Sequence, residues 1–266
     1  MNIEVFLTSN GIEEDDIRGR TVVVIDVLRA CSTIATALNN GARAVVPVLD
    51  MAQASKIAAN LDPNVSRLGG ERGGKKIEGY QLGNSPLEHT RKEVAGRDVI
   101  LNTTNGTKAL TRARGARHLV AGSFLNAGRV VGFIEQAGTD VTIVCAGREN
   151  RISLEDTVCA GLLLDRLWNE AEPTFVSDAA NAAYTLYAHD RPNVAERLRR
   201  GNHVQRIIAM GYEQDVDYCF QVDALPVLPY YRDNRLVLYD APRTASAARP
   251  PSPRPWAYVK VAEGCD

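Results

Sequence analysis

The sequence has no excess of either charge: Lys and Arg total 31 and Asp and Glu 32, a formal net charge of −1 over 266 residues. A chain built to coat nucleic acid ordinarily carries a basic excess, so no nucleic-acid partner is expected. It also lacks a long apolar run. Val22–Leu28 and Cys159–Trp168 are interrupted by Asp26 and Asp165, and both fall well short of the ~20 residues that span a bilayer. Met1–Asp16 has neither a basic start nor an apolar core, so it does not read as a signal peptide. The five cysteines (Cys31, Cys145, Cys159, Cys219, Cys265) include no Cys-x-x-Cys, and the four histidines (His89, His118, His189, His203) show no metal-ligand spacing. That excludes a disulfide frame and a structural zinc site and suits reduced thiols in a cytoplasm. Neither a Walker loop nor a G-x-G-x-x-G is present. What is left is a soluble, cytoplasmic chain of ordinary globular composition, 45% hydrophobic and 24% charged.

What is present is an alternation of β-branched runs with helix-like stretches. Val22–Val27, Ala44–Val48, Val99–Asn102, His118–Ala121 and Val141–Cys145 read as strands. Helices are expected at Ser32–Asn39, with Gly41 beyond its end, and from Asp50 as cap through Leu61, with Gln53 completing a capping box. Others follow at Thr107–Arg114, Leu125–Gln136 and Leu154–Trp168, and Asp178–Met210 reads as mostly helical, broken at Pro192 and Gly201. Val216–Val222 is expected as a late strand. This order argues for an α/β sheet with helices on both faces. Residues 1–240 are taken as a single α/β domain. Residues 241–266 form a Pro/Arg-rich tail, in which Trp256–Val261 is a further docking candidate.

Ligands of open α/β sheets bind beyond the carboxyl ends of strands, and of five polar loops four follow, or plausibly follow, strands. In the first, Asp26 closes a strand, Arg29 follows, and Ser32 and Thr33 open a helix; acid, guanidinium and helix N–H groups suit a phosphate or a metal–phosphate unit. An internal Asp26–Arg29 ion pair with Ser32 as a plain cap is the alternative. The second, Gly69–Gly74, carries Glu71 and Arg72 between glycine pairs and reads equally as a surface turn. The third, Gly83-Asn84-Ser85-Pro86, reads as a loop with an N-cap serine. The fourth, Asn102-Thr103-Thr104-Asn105-Gly106-Thr107, offers hydroxyls and backbone N–H groups to an oxyanion. In the fifth, Ala146–Glu149 runs on to Ser153, Glu155 and Asp156; Asp156 reads as half of a capping box, and the adjacent acids also suit a divalent cation. Asp215-Val216-Asp217 is discounted as a nucleophile motif, and Cys31 as well, because Ala37 stands where a cysteine phosphatase needs arginine.

Taken together and in order, Val24–Ala37 (VIDVLRACSTIATA), Leu68–Arg72 (LGGER), Gly83–Pro86 (GNSP), Thr103–Thr107 (TTNGT) and Leu154–Asp156 resemble the 2-phosphosulfolactate phosphatase family. The resemblance runs from about Ile3 to about Tyr230, includes Gly211–Phe220, and stops before the tail. It implies a three-layer α/β/α fold with a mixed sheet. It also implies a Mg²⁺-dependent hydrolysis of 2-phospho-3-sulfolactate to sulfolactate and phosphate, a step of coenzyme M synthesis in some organisms.

On that resemblance Mg²⁺ is expected on Asp26 and Glu71 with Glu155 or Asp156, and Asp26, Arg29 and Arg72 are the expected catalytic residues. Ser32, Thr33, Asn84, Ser85, Thr103, Thr104, Asn105, Gly106 and Thr107 are the expected binders of a small, multiply anionic phosphoester. The nucleophile is either water or Asp26, with water favoured because Asp26 lacks the second aspartate of the aspartyl-phosphate pattern. Another phosphorylated hydroxy acid is the rival substrate, and a non-catalytic anion-binding protein is the rival class. No membrane partner is expected, and a homodimer is the default assembly.

Overall fold

The computed structural model describes residues 1–60, 62, 64–170 and 175–240. In chain order the elements are β1 (Asn2–Phe6), β2 (Thr21–Ile25), α1 (Ala30–Asn39), β3 (Ala44–Val48), α2 (Met51–Ala59), β4 (Ser66–Arg72) and β5 (Lys75–Lys76). Then come α3 (Arg91–Val94), β6 (Asp98–Asn102), α4 (Gly106–Arg112), β7 (His118–Gly122), α5 (Ala127–Ala137), β8 (Val141–Cys145) and α6 (Leu154–Glu170). The last are β9 (Phe175–Val176), α7 (Asp178–Asp190), α8 (Val194–Arg199), α9 (Asn202–Ala209), α10 (Glu213–Cys219), β10 (Pro229–Arg232) and β11 (Arg235–Leu238).

The strands form one mixed sheet in the order β5-β4-β6-β3-β11-β10-β7-β2-β8-β1-β9. Two parallel half-sheets, β4-β6-β3 and β7-β2-β8-β1-β9, are bridged by the antiparallel hairpin β10–β11, which touches them through Leu236–Val45 and Tyr230–Val120. Every residue of β2 is buried, as a strand covered on both faces requires. Its Val23 and Ile25 face a core shared with α5, α6 and α7; Val22 and Val24 face another shared with α1 and α4. The result is the expected three-layer α/β/α arrangement.

The five strands and the helix breaks near Pro192 and Gly201 stand within a residue or two of their expected places, and Gly41 adopts the expected positive φ of 92°. Asp50 caps α2 by accepting from the Gln53 N–H at 2.7 Å, but the Gln53 side chain accepts from Leu49 N rather than from Asp50 N. That helix ends at Ala59, and Leu61 lies outside the described residues, as does the tail from 241 with Trp256–Val261. The late strand at Val216–Val222 is wrong: Glu213–Cys219 is a helix that buries Asp215, Val216 and Cys219. The late strands are β10 and β11, joined by Asp233 and Asn234 at φ 50° and 61°, the two-residue turn that fits strand twist.

Gly69–Arg72 is strand rather than turn: Gly69 and Gly70 pair in parallel with β6, and Glu71 and Arg72 pair antiparallel with β5. Gly70 has φ 150°, and a Cβ there would lie 2.1 Å from the Asn102 carbonyl oxygen, so only glycine permits the pairing. Gly73 and Gly74 make the turn into β5.

Candidate active site

The carboxyl ends of β2, β4, β6 and β8 converge on a small cleft of about 70 Å³. Asp26, Arg29, Glu71, Thr104 and Asn105 line it from the first three of these strand ends and Asn84 from the Gly83–Pro86 loop, with Arg148 and Glu149 from the loop after β8 and His203 and Arg206 from α9.

Asp26 ends β2. Its Oδ1 accepts from the Ala30 N–H at 3.1 Å, and its Oδ2 carries no hydrogen bond among the described residues. Burial pushes the carboxyl up to about 6; the Ala30 bond and the His203 charge oppose this, and Glu71 and Glu155 add to it. Arg29 does not pair with Asp26. Its Nη1 donates to Asp215 Oδ2 at 2.6 Å, its Nη2 to the Gly74 carbonyl at 2.8 Å, and its guanidinium stacks 4.0 Å from the Tyr212 ring centre. Asp215 also accepts from Ser85 Oγ at 2.6 Å. Arg29 is therefore fixed by three contacts before any ligand arrives. Asp215, discounted as a nucleophile, is its anchor.

Glu71 is braced through both oxygens, from Thr104 N at 2.6 Å and Gly74 N at 2.7 Å. Arg72 is exposed, and its Nη2 reaches the Leu49 carbonyl away from the cleft. Successive residues of a strand point to opposite faces, so Glu71 in the cleft puts Arg72 out of it, against the expectation of a catalytic Arg72. The arginines that face the cleft beside Arg29 are Arg148 and Arg206.

Ser32, Thr33, Ser85, Thr103, Gly106 and Thr107, expected as binders, do not line the cleft. α1 begins at Ala30, so Ser32 and Thr33 lie within the helix. Their hydroxyls donate to the Val27 and Asn84 carbonyls at 2.8 Å each, and neither residue lines the cleft. Thr103 and Thr107 hydrogen-bond to each other's backbone N–H and likewise stay behind it. Ser85 faces Asp215 instead of the cleft. Asn84 keeps its place there, 5% exposed, with a buried Oδ1 that has no partner. Thr104 and Asn105 stay on the wall, and Gly106 packs so tightly that a Cβ would fall 2.4 Å from Ala30 Cβ and 2.6 Å from Asp26 Oδ2.

Glu155 and Asp156 do not line the cleft. Asp156 accepts from Val27 N at 2.8 Å and Gly147 N at 3.3 Å, tying α6 to both loops instead of capping its own helix. Burial, with Glu155 and Asp26, pushes its carboxyl well up. Glu155 Oε1 accepts from Ser153 Oγ at 2.6 Å and lies 2.5 Å from His203 Nδ1, while its Oε2 is buried without a partner. Burial alone would raise Glu155, but the bond and charge of His203, with Ser153, hold it below its ordinary value. Cys31 donates to the Val24 carbonyl at 3.3 Å, and burial beside Asp26 and Asp156 raises its thiol well up. It is a packing residue, as the missing arginine suggested.

Among the described residues no three His, Cys, Asp or Glu side chains form a group able to hold a metal ion, and no helix is long and apolar enough to cross a membrane. The 2-phosphosulpholactate phosphatase family model matches residues 6–234, a span that contains every cleft-lining residue. The chain belongs to that family. Similar proteins named "Probable 2-phosphosulfolactate phosphatase" come from Caldanaerobacter subterraneus, 38% identical over 86% of this chain and 95% of its own length, and from Symbiobacterium thermophilum, 39% over 85% and 97%. Another, from Clostridium acetobutylicum, is 35% identical over 89% of this chain and all of its own length. Membership makes the chain a phosphoric monoester hydrolase. The motifs that carry the resemblance do not contain His203 or Arg206; Asp215 lies within Gly211–Phe220 but is weighed there only as a nucleophile. The nearest signal is the i, i+3, i+7 spacing of His203, Arg206 and Met210 just after Gly201, which gives α9 one face on the cleft.

Proposed function

We propose that this phosphatase is Mg²⁺-dependent, works in the cytoplasm, and hydrolyses 2-phospho-3-sulfolactate to 3-sulfolactate and phosphate. The observation that carries the reading is that three guanidinium groups, Arg29, Arg148 and Arg206, share one small cleft with the Asp26 and Glu71 carboxylates, while a third carboxylate, Glu149, is paired with Arg148 at 2.9 Å. Phosphate, sulfonate and carboxylate on one small molecule match three guanidinium groups, each suited to oxyanions. The substrate words in the names of the relatives point the same way.

The donors fit the ion. Asp26 Oδ2 and the Glu71 carboxylate are hard oxygens, and the unpartnered Asn84 Oδ1 is a neutral one beside them. Mg²⁺ commonly takes one or two carboxylates plus substrate phosphate and keeps several waters, which agrees with an incomplete protein shell. When bound there, the ion supplies Lewis-acid polarisation of the phosphoryl group. Arg29, held by Asp215, Gly74 and Tyr212, orients the phosphoryl oxygens without reorganising and stabilises the charge spreading over them. Arg148 and Arg206 receive the remaining anionic groups. Water is the nucleophile, because Asp26 is occupied as an ion ligand.

The test compares phosphate release from 2-phospho-3-sulfolactate and from 2-phospholactate in Mg²⁺. Preference for the sulfonate by tenfold or more, about 1.4 kcal/mol, supports the substrate assignment. Equal rates would move the reading to phosphorylated hydroxy acids in general.

A further inference from the structure

We infer that His203 is the catalytic residue that protonates the leaving alkoxide, and that Glu155 is the positioning residue that holds it for this task. The inference rests on the phosphatase reading and concerns a step that reading leaves open. Hydrolysis of an alkyl phosphate expels a poor leaving group, an aliphatic alkoxide, and a positioned acid contributes typically 10²–10⁴-fold by supplying a proton as the bond breaks.

The cleft offers few sources for that proton. Arg29, Arg148 and Arg206 hold theirs at any ordinary pH. Both Glu71 oxygens are taken up as acceptors of backbone N–H bonds. Glu149 is exposed and held below its ordinary value by the bond from Arg148 and its charge. Asp26 is assigned to the cation. His203 is left.

Its surroundings suit the role. Nδ1 lies 2.5 Å from Glu155 Oε1, and an ionised carboxylate only accepts, so Nδ1–H donates and the ring is fixed. The free nitrogen is then Nε2, on a ring that lines the cleft. Glu155 is 1% exposed, its Oε2 has no partner, and no other cationic side chain is described as pairing with it. A buried carboxylate demands a compensating charge, and the imidazolium supplies it. Asp26 across the loop from β2, Arg148 and Glu149 from the loop after β8, and Arg206 one turn on in α9 are the other charged groups at this wall. Ser153, donating to Glu155 at 2.6 Å, completes a Ser–Glu–His chain ending at the cleft.

In the step, the water oxygen attacks phosphorus and the P–O bond to the substrate carbon chain breaks. The ester oxygen keeps the bonding pair and takes the Nε2 proton, leaving as the alcohol. The neutral imidazole is recharged by the proton that the attacking water loses, so the net change is ester and water to alcohol and hydrogen phosphate.

The experiment compares kcat/KM for 2-phospho-3-sulfolactate with that for acetyl phosphate, whose leaving carboxylate needs no proton, in Mg²⁺. It uses the full chain, His203→Ala, His203→Asn and Glu155→Gln, each checked for folding by circular dichroism. His203→Asn keeps an N–H for Glu155 and guards against a collapsed site. The expected result is a 10²–10⁴-fold loss on the alkyl ester for both His203 variants, a change of only a few fold on acetyl phosphate, and a smaller loss of the same pattern for Glu155→Gln, in kcat rather than KM. Equal losses on both esters, or none on the alkyl ester, would overturn the inference. Failure of the unmodified chain to release phosphate from either ester would overturn the phosphatase reading and this step with it.

Discussion

Replacing Asp26 by asparagine should make the metal-free protein more stable while abolishing its activity. Burial raises the Asp26 carboxyl from 3.8 to about 6, so at neutral pH the fold carries a charge it disfavours. A rise of that size corresponds to about 3 kcal/mol. Asparagine keeps the Oδ1 acceptor for Ala30 N–H and turns an amide donor toward the neighbouring acids. The sign follows from the direction of the shift. Above pH 6 the aspartate is ionised in both folded and unfolded chains and the full penalty applies. Between pH 6 and 4 the folded chain binds a proton first and the penalty fades; below about pH 4 it is gone. In EDTA at pH 7.5, Asp26→Asn should therefore melt about 6–12 °C above wild type, with the gap closing on acidification. Saturating Mg²⁺ should raise wild type and leave the variant unmoved, since only a ligand of the native state stabilises it. A variant that melts below wild type in EDTA, or that gains as much from Mg²⁺, would refute the reasoning. Scanning calorimetry across pH reads both.

Four other substitutions follow from the same contacts. Asp215→Ala leaves Arg29 buried without its partner and should cost about 3–5 kcal/mol in urea denaturation, with activity lost under conditions where the protein is still folded. Gly106→Ala forces a Cβ against Ala30 and Asp26; overpacking of this kind costs about 1–3 kcal/mol, and the displaced Asp26 should lower kcat well beyond what the stability loss explains. Arg72→Ala should leave steady-state kinetics within about twofold, whereas Arg206→Ala should raise KM about tenfold or more, the worth of one charge-assisted hydrogen bond. Reversal of that pair would return the clamp to Arg72.

The parts of this architecture that were legible in the sequence are those encoded locally. β2, β3, β6, β7 and β8 are short β-branched runs buried on both faces, and the polar stretches after them mark the edge where the cleft lies. Asp26 and Thr104 are legible because each follows a readable strand, and Glu71 because it stands between glycine pairs. What was misread involves direction or distance along the chain. Arg72 was grouped with Glu71 although a strand separates neighbours onto opposite faces. Ser32 and Thr33 were placed at a helix opening because the helix begins two residues before its first hydroxyl. β4 hid behind Gly69 and Gly70, whose weak strand propensity masks a close approach to Asn102 that excludes every other residue. His203, Arg206 and Asp215 come from helices more than 170 residues after Asp26 and meet it only through the tertiary fold, so no local window contains the pairing of Arg29 with Asp215 or of Glu155 with His203.

The central question is whether the cleft between Asp26 and the arginines is a cation-dependent phosphatase site. Phosphate release from 2-phospho-3-sulfolactate, measured for wild type and Asp26→Asn with Mg²⁺ and with EDTA, decides it. Turnover in Mg²⁺ that is abolished by EDTA, restored by excess Mg²⁺ and absent in the variant is the predicted result. Turnover that survives EDTA, or that persists in Asp26→Asn, would contradict it.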